Sequence, residues 1–495
     1  MAGITCSLQA QKIGVHTIGD STMADYAENT TRTRGWGEMF QEFFVSDATI
    51  YNYARGGRSS RSFYQEGLWD KVKEGLKPGD YVLIQFAHND EKEKGKDGAD
   101  GRGTAPWTTY KSYLEKYVDE TRTLGGEPVF ITPIIRRYFQ KDGTISPKGC
   151  HDLSTAPDDS TLNYVRVMKH VAREKKVPLV DMTSITKDFS EQLGKEVTTK
   201  EIYVPTDGTH TTATGAANYA KLAAKGLKER GILSNYIKDN VQLVVNPTHI
   251  DFQTMYCGDE STICFDVIGL QLHPKEGSVH IKVPQGMTLT DIPQDTVGYS
   301  SMELPYINGK LWGKSFYLKF NPHTAGEIND SIVISYGTSY RSLPVYANCK
   351  TVSSRTPLTL RPTGTSIKGI IKEGEKYNIE GNKWPADIDE AANRYVEFIL
   401  HNENETLNVK QLNLILEGDI CYRIAYARGK DFYPRTDLGE AQRPISGAQQ
   451  LTLPVNTTLK PGEQLNVRIF PWSLKETENL NFKIKDCNFQ TLIIK

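Results

Sequence analysis

Hydrophobic positions in the first half of the chain follow two alternating patterns. Short apolar runs rich in β-branched residues predict five strands, at 13–18, 48–53, 80–86, 128–135 and 178–182. Between these runs, apolar residues recur every three or four positions, which predicts helices over segments such as 110–124 and 214–230. Because strands and helices alternate, this half predicts a parallel sheet with helices on both faces.

The pattern changes after about residue 240. Helical periodicity is almost absent there, and short β-rich runs alternate with turn residues, which is typical of antiparallel β-sandwiches. Segment 351–357 has the composition of a linker between two of them. We therefore predict an α/β domain over residues 12–235, a β-sandwich domain over 240–352 and a β-sandwich domain over 358–495, the last one glycan-binding or structural.

Length and charge agree with this division and exclude some classes of function. A chain of 495 residues is too long for one core. A formal net charge of -1 gives no electrostatic basis for nucleic-acid binding, and no apolar run is long enough to span a membrane. Residues 7–10 resemble the cleavage site of a signal peptide, so we expect a secreted or periplasmic protein whose signal peptide has been trimmed.

The seven cysteines do not suggest a metal site, because no Cys-x-x-Cys pair occurs. Cys257 and Cys264 flank a short turn, where they could form a disulfide or remain two buried thiols.

The first candidate for chemistry is Ser21, which follows the first predicted strand in the triplet Gly19-Asp20-Ser21. A serine at the carboxyl end of such a strand, with a helix following, points into the crevice where open α/β sheets bind ligands. Serine and aspartate also favour helix N-caps, so the triplet alone leaves a structural role equally open.

Gly57 follows the second predicted strand and Asn89 the third, and the carboxyl ends of parallel strands share one rim. Backbone N–H groups of Ser21 and Gly57, with the Asn89 amide, would supply three donors for the oxyanion of an acyl transfer. Taken singly, the glycine and the asparagine are more typical of turns.

A serine nucleophile also needs a base to accept its proton. Asp207-x-x-His210, in a loop before the last predicted helix, is the candidate for that base. His210 would accept the proton of Ser21, while Asp207 would hold the other ring nitrogen. Taken alone, the pair more often caps a turn, and a metal role lacks a third ligand.

The joint order of Ser21, Gly57, Asn89, Asp207 and His210 resembles the SGNH hydrolase superfamily, also called GDSL esterases, over about residues 12–232. The chain contains no Gly-x-Ser-x-Gly elbow, which argues against the usual α/β-hydrolases. Four segments look like the rhamnogalacturonan and pectin acetylesterase branch of the superfamily: 19–24, 35–37, 57–63 and 88–90.

This resemblance implies a three-layer, flavodoxin-like domain that removes acetyl groups from pectic polysaccharide without a cofactor or a metal. It implies Ser21 as the nucleophile, Ser21, Gly57 and Asn89 as the oxyanion hole, Asp207 as the orienting acid and His210 as the base. The chain departs from the family pattern at Ala87, where the branch usually has glycine, and the resemblance covers none of the β-rich half.

Two other interpretations stay open. The chain could be a lipase or thioesterase on the same scaffold, or a glycan-binding protein whose esterase activity is secondary. The polar loops 91–106 and 136–158 favour a hydrated substrate over an acyl chain. Three aromatic residues of the β-rich half could stack on sugars or fill its core: Trp384, Tyr433 and Trp472.

The expected partner is therefore an acetylated pectic polysaccharide or oligosaccharide. Arg58, Arg136 and Arg137 lie just after predicted strands on the same rim as Ser21, and we predict that at least one of them binds a uronate carboxylate. We also expect the α/β unit to fold without the β-rich half, since its pattern closes near residue 231.

Overall fold

The structure is a computed structural model of the full chain. It describes residues 12–494 apart from 27–31, 100, 157–160, 293–296, 351–354, 380–393, 419, 430–431, 433–434, 440–446 and 474–481. The leader segment, Trp384 and Tyr433 discussed above lie outside the described residues.

The first unit is built on a five-stranded, all-parallel sheet. Its strands run in the order β2-β1-β3-β4-β5, which is the order of flavodoxin-like folds. The strands are β1 (Ile13–Ile18), β2 (Ala48–Asn52), β3 (Tyr81–Ile84), β4 (Glu127–Ile131) and β5 (Leu179–Val180). The predicted fold class of this half is confirmed.

Helices cover both faces of this sheet, and the two faces have separate hydrophobic clusters. The α-helices are α1 (Ser60–Gln65), α2 (Leu68–Gly75), α3 (Lys111–Thr123), α4 (Tyr164–Glu174), α5 (Met182–Leu193), α6 (Lys195–Val197) and α7 (Ala213–Glu229). Short 3-10 helices span Phe40–Phe43, Asp90–Glu93 and Pro147–Cys150, and π-helical turns span Pro106–Tyr110 and Thr198–Ile202. None of the helices in the described residues has the length and apolar character needed to cross a membrane.

The expected helix directly after Ser21 is absent. Residues 21–24 form turns, and within the described residues 21–26 and 32–43 the first helix is the 3-10 helix Phe40–Phe43. The aromatic residues at helical spacing in 36–44 instead pack as one buried cluster, with Trp36, Phe40 and Phe44 in edge-to-face contact. The spacing of these aromatic residues therefore reflects their burial in one cluster, although the backbone there is not an α-helix.

The remainder of the described chain consists of two pairs of mainly antiparallel sheets. The first pair has the orders β10-β12-β8-β6 and β11-β9-β13-β14-β7, with β14 and β7 parallel. Its strands are β6 (Leu243–Asn246), β7 (Ile250–Tyr256), β8 (Ser261–Gly269), β9 (Gly277–Lys282), β10 (Met287–Thr290), β11 (Ser301–Tyr306), β12 (Leu311–Phe320), β13 (Gly326–Tyr336) and β14 (Ser339–Lys350). One hydrophobic cluster lies between the two sheets, as in a β-sandwich.

The second pair has the orders β17-β18-β25-β20-β23, where β15 also pairs with β25, and β16-β19-β24-β21-β22. Its strands are β15 (Arg355–Leu360), β16 (Gly364–Lys368), β17 (Ile370–Glu373), β18 (Lys376–Ile379), β19 (Tyr395–His401), β20 (Thr406–Gly418), β21 (Cys421–Arg428), β22 (Arg435–Asp437), β23 (Ala448–Leu459), β24 (Gln464–Trp472) and β25 (Phe482–Ile494). A separate hydrophobic cluster fills this pair, and Trp472 is buried rather than available to a sugar.

The first β-sandwich continues the core of the α/β unit. Val244, Ile268 and Leu270 are buried in the same hydrophobic cluster as the alanine-rich face of α7. The Gly313 N–H of β12 donates to Thr214 Oγ1 at 2.6 Å, and a Cβ on Gly313 would lie only 2.8 Å from that oxygen. The close approach of β12 to α7 therefore requires a glycine here.

A buried ion pair joins the α/β unit to the first β-sandwich. Arg34 Nε lies 2.6 Å from Asp266 Oδ2, and both side chains are almost fully buried. Arg34 also donates to the Sγ of Cys264, and in the described residues Cys264 and Cys257 do not form the disulfide that the sequence left open. Glu38 Oε1 lies 3.5 Å from the same Arg34 Nε, and burial raises the pKa of Glu38 to about 8.

These contacts change the expectation that the α/β unit folds by itself. We predict that a chain ending near residue 231 loses cooperative unfolding, because the apolar face of α7 that packs on the first β-sandwich would be exposed to water and Arg34 would lose Asp266. A chain ending at residue 350 keeps Asp266 and should unfold cooperatively. Thermal unfolding of both truncated proteins tests this, and equal midpoints would contradict it.

Candidate active site

Ser21 lies directly beyond β1, in a turn organised by the preceding aspartate. One carboxylate oxygen of Asp20 accepts hydrogen bonds from the Thr22 N–H at 2.9 Å and the Thr22 hydroxyl at 2.7 Å. Its other oxygen lies 3.1 Å from His88 Nδ1. A fully buried carboxylate thus fixes the backbone on both sides of Ser21, whose own side chain is recessed.

His210 and Asp207 meet Ser21 in the arrangement that the sequence predicts. His210 Nε2 lies 2.9 Å from Ser21 Oγ, and His210 Nδ1 lies 2.6 Å from Asp207 Oδ2. The Asp207 Oδ1 atom accepts the backbone N–H groups of Thr209 and His210. Burial alone would raise the pKa of Asp207, but the His210 ring and these hydrogen bonds lower it below its ordinary value.

This hydrogen-bond pattern assigns the proton positions. An ionised Asp207 accepts the Nδ1–H of His210, which leaves Nε2 free to accept the Ser21 hydroxyl. A serine, a neutral imidazole and a carboxylate in series can generate a nucleophile for acyl transfer.

Gly57 and Asn89 lie beside Ser21 on the same rim. Gly57 has a φ of +78°, a left-handed conformation that glycine adopts without strain. Its neighbour Gly56 approaches the serine closely, since a Cβ there would lie 3.8 Å from the Ser21 Cβ. Asn89 Nδ2 donates one hydrogen bond to the Arg58 carbonyl at 3.1 Å, which anchors the amide to the Gly57 loop.

These groups can supply the donors of an oxyanion hole. None of the hydrogen bonds within the described part of the chain uses the backbone N–H of Ser21 or Gly57. The Asn89 amide keeps a second N–H beyond the one bound to Arg58. The structure therefore brings the predicted nucleophile, base and donors together, although the sequence distances between them reach 189 residues.

Arg136 has a different place from the one the sequence suggests. Its side chain is buried, Nε donates to Glu91 at 2.8 Å, and Nη2 donates to the His88 carbonyl at 3.0 Å. Nη1 donates to the hydroxyl of Thr209. The structure argues against a substrate contact for Arg136, which instead links the segments before Asn89 and His210.

Arg137 also contacts the loop that carries Asp207. Its guanidinium donates to the carbonyls of Asp207 at 3.0 Å and Pro205 at 2.5 Å. Arg58 stays at the rim, where it donates to Glu66 and to the Gly56 carbonyl. Its side chain is 25 % exposed, so a substrate contact by Arg58 stays a prediction.

A buried network beneath the rim was not predicted. His151 Nδ1 lies 2.9 Å from Glu91, its Nε2 lies 2.8 Å from the Ile134 carbonyl, and its ring packs against His88 at 4.4 Å. Burial opposes ionisation of Glu91, but His151 and Arg136 lower its pKa to about 2. Of these residues, only His88 belongs to a sequence motif, the triplet 88–90. Glu91, Arg136 and His151 are brought together by tertiary contacts, which no local sequence pattern indicates.

The short segment 34–36 forms hydrogen bonds beside Ser21 and beside His210. The Arg34 N–H donates to the Thr211 carbonyl at 2.9 Å and its carbonyl accepts the Thr211 hydroxyl at 2.7 Å, next to His210. Two residues later, the Trp36 N–H donates to the Thr22 carbonyl at 3.0 Å, next to Ser21. The segment that forms the ion pair with Asp266 thus also holds the neighbours of the serine and the histidine.

Comparison with known proteins agrees with this geometry. Residues 17–217 match the GDSL-like lipase/acylhydrolase family, a span that includes all the site residues above. The chain is 34 % identical over 238 residues to the rhamnogalacturonan acetylesterase RhgT of Bacillus subtilis, covering 46 % of this chain and 94 % of that protein.

Two further relatives carry similar descriptions. The probable rhamnogalacturonan acetylesterase YesY of Bacillus subtilis is 33 % identical over 221 residues, covering 44 % of this chain and 94 % of that protein. A rhamnogalacturonan acetylesterase of Emericella nidulans is 28 % identical over 232 residues, covering 45 % of this chain and 87 % of that protein.

The chain belongs to the GDSL-like lipase/acylhydrolase family. It is therefore a carboxylic ester hydrolase. All three matches fall in the α/β half, so they carry no information on the β-rich half.

The geometry predicts how substitutions in the site affect ester hydrolysis. Ser21→Ala and His210→Ala should each lower kcat on an aryl acetate by at least about a thousandfold, because such residues act as one unit. Asp207→Ala should be milder, since it removes orientation and charge rather than the proton acceptor. Steady-state kinetics measure all three.

Ser184→Ala is a matched control and should leave kcat unchanged, since the Ser184 hydroxyl donates to Asp181, the N-cap of α5, and not to a residue of the candidate site. Residual turnover of Ser21→Ala above about one part in a thousand would argue against Ser21 as nucleophile.

Proposed function

We propose that this protein is a carbohydrate esterase that removes O-acetyl groups from pectic polysaccharide, rhamnogalacturonan or homogalacturonan. The observation that carries the proposal is the 34 % identity to a rhamnogalacturonan acetylesterase across 94 % of that protein's length. The hydrogen-bonded series Ser21, His210 and Asp207 supports it by supplying the chemistry.

In the proposed mechanism, Ser21 Oγ attacks the acetyl carbonyl carbon while His210 Nε2 accepts the hydroxyl proton. The N–H groups of Ser21 and Gly57 and the Asn89 amide donate to the oxyanion that forms. The C–O bond to the sugar then breaks, and the sugar oxygen takes the proton from His210. This step leaves an acetyl-serine and a free sugar hydroxyl.

Water completes the cycle by the same route in reverse. His210 removes a proton from water, the resulting hydroxide attacks the acetyl-serine, and Ser21 Oγ recovers the proton as acetate leaves. Asp207 stays ionised throughout and stabilises the imidazolium in both halves of the reaction. These steps require no metal and no cofactor.

The loops around the site are consistent with a hydrated substrate. The loop after β3 carries several charged residues, and Asp97 within it is fixed by the Ala105 N–H at 2.9 Å and the Thr109 hydroxyl at 2.8 Å. A polysaccharide substrate also fits the expectation that the protein acts outside the cytoplasm.

A panel of acetylated substrates tests the proposal. Acetate release should have the highest kcat/KM on acetylated rhamnogalacturonan or homogalacturonan, with lower values on acetylated xylan and on long-chain aryl esters, and Ser21→Ala should release none. Hydrolysis of an aryl acetate with no acetate released from either pectic polymer would contradict the pectic assignment while leaving the esterase assignment intact.

A further inference from the structure

One sheet of the C-terminal unit approaches the active-site rim. Arg435, at the start of its edge strand β22, places its guanidinium 5.9 Å from the ring centre of Tyr26. Tyr26 belongs to the segment just after Ser21, and a Cβ on Gly56 would lie 3.7 Å from the Tyr26 hydroxyl and 3.8 Å from the Ser21 Cβ. The Tyr26 ring therefore extends from the nucleophile to Arg435.

The same sheet lies near enough to the rim for charges there to act on one of its tyrosines. Burial raises the pKa of Tyr395 on β19, and the charges of Arg58 and Glu66 on the rim act on its hydroxyl. The Arg468 guanidinium lies 4.0 Å from the ring centres of both Tyr395 and Phe432. The Arg435 guanidinium itself lies 5.9 Å from the ring centres of both Tyr26 and Phe470, so aromatic contacts hold it between this sheet and the rim.

The charges on this sheet leave Arg435 able to bind an anion. Arg468 has its own carboxylate, Glu397, at 2.6 Å, whereas Arg423 and Arg435 share Asp437 at 3.8 and 3.6 Å. These five side chains carry three positive and two negative charges.

Arg435 is also accessible, with a side chain 20 % exposed. In the part of the chain that the structure describes, no hydrogen bond engages its two terminal nitrogens. A guanidinium in this state matches a carboxylate, which it binds by two parallel hydrogen bonds.

We propose that Arg435 binds a galacturonate carboxylate of the substrate, so that the C-terminal unit forms part of the substrate site of the esterase. The inference rests on the proposed function, since pectic polymers carry a carboxylate on each unesterified galacturonate. In this proposal, the acetylated sugar lies at Ser21 and a neighbouring galacturonate of the same chain reaches Arg435. The β-rich half thus contributes specificity, whereas the catalytic groups all come from the α/β half.

Kinetics of Arg435→Gln in the full chain test the assignment. On acetylated, galacturonate-containing oligosaccharides, the variant should lose roughly tenfold in kcat/KM through a higher KM, because one charge-assisted contact is removed. On 4-nitrophenyl acetate and on acetylated xylo-oligosaccharides, which carry no carboxylate, it should match the wild type. Arg361→Gln is the matched control, since Arg361 lies on the opposite sheet of the same unit, is 72 % exposed and pairs with Asp486.

A second measurement does not depend on the folding of the variant. Reduction of the galacturonate carboxyls to alcohols should lower the wild-type kcat/KM by a similar factor and should remove the difference between wild type and Arg435→Gln. Equal wild-type rates on native and reduced oligosaccharides would overturn the inference. A loss by Arg435→Gln on all substrates, the aryl acetate included, would overturn it too, by showing a structural role.

The failure of this inference is distinguishable from failure of the proposed function. If the wild type releases acetate from pectic oligosaccharides and Arg435→Gln does so equally well, only the inference fails. If the wild type releases no acetate from any pectic substrate, the proposed function fails first.

Discussion

The ion pair between Arg34 and Asp266 is the interaction on which the active site most depends. Both charges are removed from water, which is tolerable only because they meet at 2.6 Å with further hydrogen bonds around them. Arg34 lies in the segment that braces Thr22 and Thr211, the neighbours of Ser21 and His210. The first β-sandwich therefore stabilises the positions of the candidate catalytic residues, all of which lie in the α/β half.

The close packing of this segment against the backbone that follows Ser21 also explains the glycines on either side of Trp36. A Cβ on Gly35 would lie 2.2 Å from the Ala24 carbonyl oxygen, and one on Gly37 would lie 2.4 Å from the Met23 carbonyl oxygen. The segment must therefore approach the backbone after Ser21 more closely than any side chain allows. Trp36 fills the space below, and its Nε1 donates to Gln85 at 2.9 Å.

Much of the fold and the core of the site could be predicted from the sequence, because both follow from local rules. Strand periodicity located β1 to β5, and the rule that parallel strands end on one rim brought Ser21, Gly57 and Asn89 together. Long-range pairing could not be predicted: the ion pairs of Arg136 with Glu91 and of Arg34 with Asp266 join residues 45 and 232 positions apart. The burial of an arginine is decided by such partners, so the sequence could not show that the side chain of Arg136 is buried beneath the rim.

Replacement of Asp266 by asparagine, with unfolding and aryl-acetate hydrolysis measured together, tests this account most directly. The account predicts a loss of roughly 3 kcal/mol in the free energy of unfolding, since a buried charge loses its partner. It also predicts a fall in kcat under conditions where the variant stays folded. Arg341→Gln is the control: it breaks the contact of Arg341 with Glu42 across the same boundary, away from His210, and should leave kcat unchanged. Unchanged stability and kcat in the Asp266→Asn variant would contradict the account.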